Sequence, residues 1–83
     1  MDLKRLRWAT RRGMLELDLV LLPFLENVFP SLSDDHKVLF ETLLTCEDQE
    51  LFNWFLKKGN PEDPDMKIIV DIIRANTGLQ PDN

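Results

Sequence analysis

One cysteine and three glycines occur among 83 residues, and each scarcity closes off a class of protein. Cys46 has no second thiol to pair with, so no internal disulfide forms and nothing calls for an oxidising compartment; a reducing cytoplasm is the expected setting. Gly13, Gly59 and Gly78 stand singly, which argues against a glycine-rich phosphate loop. Long apolar runs are missing as well. The uncharged stretch from Leu19 to Leu25 follows Glu16 and Asp18, contains Pro23, and falls short of the roughly 18 residues that a membrane span requires. No small-residue cleavage site comes after it, so a signal peptide is not expected, and the chain reads as soluble with its N-terminus retained. His36, the one histidine, has no second His, Cys cluster or paired acid at ligand spacing, and no metal site is expected. Nor is any nucleophile paired with a histidine base. Glu16 and Asp18, two positions apart on a helix, point to different sides and make a poor acid/base pair. These absences together argue against an enzyme, with no catalytic residues to assign.

What remains is a small helical domain. A chain of this length buries roughly 60% of its unfolded surface, enough for one core and no deep cofactor cleft. Its apolar residues are mainly Leu, Ile, Phe and Val at helical spacing, which predicts an all-α fold: a compact five-helix bundle over residues 1–77, with 78–83 as a disordered tail. Helix one is expected from about Asp2 to Arg12. Helix two, from Met14 to about Val28, carries Leu17, Leu21, Phe24 and Val28 on one stripe and Leu15, Leu19 and Leu22 on the next. Being apolar on most sides, it should be the central helix, kinked at Pro23. Ser33 caps helix three, residues Thr45 to Asp48 cap helix four, and Asp63-Pro64 opens helix five.

Charge is distributed unevenly. Residues 1–12 hold five Lys or Arg against one Asp, a net of +4, whereas residues 13–83 hold five against fourteen, a net of −9. The basic segment with Trp8 can be read as a nucleic-acid arm, a solvated helix face or a docking surface for an acidic protein partner. The acidic remainder disfavours nucleic acid, as does the lack of a recognition-helix or zinc pattern. Trp8 shares a helix face with Lys4 and Arg11, and either packs at the core edge or stands within the basic patch.

The basic segment meets helix two at Arg11-Arg12-Gly13-Met14-Leu15-Glu16-Leu17-Asp18. Gly13 suits the positive φ that closes one helix and redirects the chain. Arg11 and Arg12 would then occupy the last turn of helix one, and Glu16 the first turn of helix two, each on the side that the helix dipole favours. Helix two's positive N-terminus disfavours the arginine pair beside it, unless those guanidiniums face Glu16, Asp18 or a partner.

Arg12-Gly13-Met14-Leu15-Glu16 resembles the RGxxE motif of the small flavinylation factors that help assemble succinate dehydrogenase. Further landmarks fit in order: Arg7-Trp8, Pro23-Phe24, Leu32-Ser33-Asp34-Asp35, and Asp48, Leu51, Phe52 and Trp54. The likeness runs from about Leu6 to about Ile73. It implies a helical, non-enzymatic assembly factor free of stably bound cofactor, and a cytoplasmic monomer is the expected form. Such a factor binds the flavoprotein subunit of succinate dehydrogenase or the related fumarate reductase, and promotes covalent attachment of FAD to that partner. Carried over by position, Arg12, Gly13 and Glu16 are the motif residues, with Arg7, Trp8, Arg11 and Asp18 as neighbours on the same partner-binding surface.

Overall fold

A computed structural model describes residues 3–57 and 59–77. Its five α-helices are α1 (Leu3–Thr10), α2 (Leu15–Asn27), α3 (Asp34–Leu43), α4 (Asp48–Leu56) and α5 (Pro64–Thr77), with a 3₁₀ turn at Phe29–Ser31. No strand occurs among the described residues, so the all-α expectation holds. The tail expected at 78–83 lies outside them.

Helix boundaries follow from local chemistry. At α3, the Ser33 hydroxyl accepts from the His36 N–H at 3.2 Å, and Asp34 and Asp35 sit in the positively polarised first turn. At α4, the Glu50 carboxylate reaches back to the Glu47 N–H at 3.2 Å. Pro64 begins α5, and the Asp63 carboxylate accepts from the Asp65 N–H at 2.8 Å. Helix one is shorter than its charge pattern suggests: it stops at Thr10, so Arg11 and Arg12 lie beyond its last turn.

Helix α2 packs against α1, α4, α5 and the 3₁₀ turn, which makes it the central element. Leu17, Leu21, Phe24 and Leu25 on its inner face are essentially inaccessible. Phe40 of α3 stacks obliquely on Phe24 and Phe29, with ring centroids at 5.5 and 5.3 Å. Since Phe40 is fully buried, Phe40→Ala would cost about 3–5 kcal/mol, a large share of a small domain's stability. The outer face of α2 departs from expectation. Leu15 and Leu19 are 68% and 67% exposed, because this one helix carries more apolar side chains than its neighbours can cover.

The C-terminal end of α4 is closed by a residue that the sequence did not single out. Arg74 of α5 donates to the carbonyls of Trp54 and Gly59 and to the Asn60 side chain, satisfying acceptors that the helix end leaves free.

Candidate partner-docking site

The site is built at the corner between α1 and α2. Thr10 turns its hydroxyl back to the Leu6 carbonyl at 2.7 Å, and the Arg11 N–H bonds the Trp8 carbonyl, a tightened last contact. The Arg12 N–H then leaves the helical ladder and donates to the Asp18 carboxylate at 3.0 Å. Gly13 follows with φ +80°, a conformation that costs a residue with a Cβ about 1–2 kcal/mol. Met14, extended, starts α2, and its carbonyl accepts from Leu17 and Asp18 at 3.0 Å. Asp18 thereby ties the first turn of α2 to the end of α1. It is half-buried and committed to this link, whereas Glu16 is exposed at the second helical position.

Arg12 does not face Glu16, nor does its side chain face Asp18. Its guanidinium enters the connection between α3 and α4, where Nε meets the Asp48 carboxylate at 2.7 Å. The terminal nitrogens donate to the carbonyls of Leu44 at 2.8 Å, Cys46 at 2.6 Å and Ala9 at 3.2 Å. With only 13% of its side chain exposed, Arg12 is a clamp between chain segments more than thirty residues apart. The planar, multiply donating guanidinium suits this role, which a lysine ammonium cannot reproduce. Cys46 lies beside the clamp. Burial pushes its thiol pKa up, Glu50 adds to the shift, and Arg12 opposes it.

Three more basic residues, Lys4, Arg7 and Arg11, line a shallow groove between α1 and α2 together with Trp8, Leu22 and Glu26. The structure resolves the position of Trp8: at 82% exposure it stands in the basic patch and not in the core. Arg7 pairs with Glu26 at 3.4 Å, both half exposed. Such a pair contributes at most about 1 kcal/mol. Lys4 and Arg11 have no carboxylate partner among the described residues. Of the residues expected to form a partner surface, Arg7, Trp8, Arg11, Gly13 and Glu16 are accessible, and Arg12 and Asp18 are turned inward to hold the corner.

The profile of the family described as "Flavinator of succinate dehydrogenase" matches residues 4–77. The chain belongs to this family. It is similar to a Pseudomonas aeruginosa protein named FAD assembly factor SdhE, with 48% identity over 98% of this chain and 94% of that one. A Shewanella oneidensis protein of the same name is 51% identical over 90% of this chain and 92% of its own length. One from a Serratia species is 47% identical over 86% and 81%. For this flavinator-family chain the RGxxE pentapeptide is therefore a folded corner with divided tasks. Arg12 is the clamp, Gly13 the turn and Glu16 the exposed charge.

Two features of the corner escaped sequence reasoning. Asp48 is a landmark of the sequence, but nothing local marks it as the seat of Arg12, since the two are 36 positions apart. The exposed Leu15 and Leu19 had a visible signal, a helix apolar on nearly every side in a chain too short to enclose it. Among the described residues no group of His, Cys, Asp and Glu is arranged to hold a metal, and no helix is long and apolar enough to cross a membrane.

Proposed function

We propose that this chain is a non-enzymatic, cytoplasmic assembly factor that binds, as a monomer, the flavoprotein subunit of succinate dehydrogenase or fumarate reductase and promotes covalent attachment of FAD to that subunit. The observation that carries the reading is the clamped corner, which projects Gly13 and Glu16 on a rigid α1–α2 junction beside a basic groove with an exposed indole. FAD belongs to the partner, as does the side chain that receives it. The groove, bounded by charged side chains and one aromatic face, suits a protein surface better than an enclosed flavin. Rigid presentation of Glu16 and Arg11 lowers the entropic cost of holding mobile partner segments in the attachment geometry, which is catalysis by positioning.

The test is co-expression of this chain with the flavoprotein subunit in a host lacking its own factor, followed by capture and in-gel flavin fluorescence. Wild type should give a fluorescent, acid-stable flavoprotein band, and Glu16→Ala should lose it. Glu16 is exposed and gives α2 only a dipole interaction of about 0.3–1 kcal/mol, so the variant should remain folded. Normal flavin attachment by folded Glu16→Ala would remove Glu16 from the working surface.

A further inference from the structure

The outer face of α2 carries Leu15, Leu19 and Leu22 at i, i+4 and i+7, an apolar stripe on a helix whose inner face, Leu17, Val20, Leu21, Phe24 and Leu25, is already packed. Leu15 and Leu19 are two-thirds exposed, and Leu22 borders the groove that holds Trp8. By helical spacing the stripe leads from Leu15, beside Gly13 and Glu16, to Leu22, which shares the groove with the indole of α1. The largest apolar patch on a monomer is often functional. Its borders carry charge of both signs, divided by position: Lys4 and Arg11, without carboxylate partners among the described residues, flank the Trp8 end beside the paired Arg7 and Glu26, and exposed Glu16 stands at the other end.

Resting on the function proposed above, we infer that this ridge is the affinity-bearing half of the docking surface, and that its occupant is a segment of the flavoprotein subunit with apolar side chains for Leu15, Leu19, Leu22 and Trp8 and carboxylates for Lys4 and Arg11. Two observations select this occupant. The ridge is continuous with the clamped corner, so a partner seated on Glu16 covers Leu15 and Leu19 as well. The flanking cations complement an acidic segment and disfavour a second copy docked basic groove to basic groove, where like charges would meet. Apolar anchors at the centre with charges at the rim divide the work: the anchors slow dissociation, and the charges steer association and fix register.

Titration of the purified flavoprotein subunit with wild-type chain and variants, at several salt concentrations, tests this division. Leu15→Gln/Leu19→Gln should weaken binding about tenfold or more at every salt concentration, with the salt dependence unchanged. Lys4→Glu/Arg11→Glu should weaken binding most at low salt and flatten the salt dependence. Val38→Gln, which alters an exposed apolar residue on α3, is the control and should bind as wild type does. Circular dichroism and sedimentation of each variant accompany the titration. Failure of wild type to bind the subunit overturns the proposed function and this inference together. If wild type binds and the leucine variant binds equally well, the inference alone is overturned. A wild-type dimer that the leucine substitutions convert to monomer also overturns it, in favour of a second copy as occupant.

Discussion

Replacing Arg12 by alanine separates the clamp from the contact surface more sharply than any other substitution. The side chain donates to one carboxylate and three backbone carbonyls, with distances of 2.6–3.2 Å. A hydrogen bond involving a charged group contributes about 1.5–3 kcal/mol, but these four share one guanidinium and do not add. Breaking a buried pair by removing one partner costs about 3–5 kcal/mol. Here the Asp48 side chain is 38% exposed, so water recovers part of that loss. The expected cost of Arg12→Ala is therefore about 2–4 kcal/mol, a considerable fraction of the roughly 5–15 kcal/mol that holds a domain together.

Urea unfolding followed by far-UV circular dichroism measures that cost, and thermal unfolding should show a midpoint lower by at least about 8 °C, since each kcal/mol shifts a domain of this size by about 4–8 °C. Arg12→Lys should fall between wild type and alanine, because an ammonium can keep Asp48 company but cannot serve the Leu44, Cys46 and Ala9 carbonyls together. Flavin attachment by Arg12→Ala should track its folded fraction, recovering as the temperature is lowered. A loss below about 1 kcal/mol, with an unchanged dependence on urea, would refute the clamp. Arg12 would then be a surface charge, as its place in the sequence suggests.

Other expectations concern single residues near the corner. Gly13→Ala and Gly13→Arg should lose about the same stability, roughly 1–2 kcal/mol, because the strain lies in the positive φ and a Cβ at Gly13 meets nothing within 4 Å; urea titration of both checks this, and only the arginine variant should also abolish flavin attachment. The Cys46 thiol, its pKa raised mainly by burial, should alkylate more slowly than a free cysteine at neutral pH. Because the folded state holds that proton more tightly, the stabilising effect is complete below the ordinary thiol range and fades as pH rises through the raised value; Cys46→Ser should flatten this alkaline loss and leave flavin attachment intact. Trp8, at 82% exposure against 8% for Trp54, should account for nearly all acrylamide-quenchable fluorescence, and a Trp8→Phe variant that remained strongly quenched would contradict its placement.

How much of this was legible in the sequence depends on the range of the interaction. Ser33 before His36, Glu47 before Glu50 and Asp63 before Pro64 cap helices through contacts within three residues, and local pattern located all of these helix starts. Gly13 announced its turn for the same reason. Arg12 misled, because dipole and neighbour rules weigh only the adjacent helix ends, while its partners come from the α3–α4 connection. The end of α1 differs from the local pattern for the same reason. Once the Arg12 N–H is taken by Asp18, the helix has no reason to continue past Thr10.

The spacing of the RGxxE motif follows from this geometry. An arginine that inserts its side chain between distant segments needs a chain leaving α1 at that residue, and the following glycine supplies the reversal. Two further positions then bring the chain into the first turn of α2. Met14, half-buried against the core, anchors the helix start, and Leu15 turns outward. Glu16 comes next, exposed where the helix dipole favours a carboxylate and where its backbone is fixed by the clamp on one side and the Asp18 link on the other. One residue fewer would place the carboxylate at Leu15, the first residue of α2, directly after extended Met14. One residue more would replace buried Leu17, whose burial holds α2 in the core. Glu16 is thus a single exposed acid one residue from exposed Leu15, with its helix start held by two links that are themselves turned inward, the Arg12 clamp and the Asp18 bond.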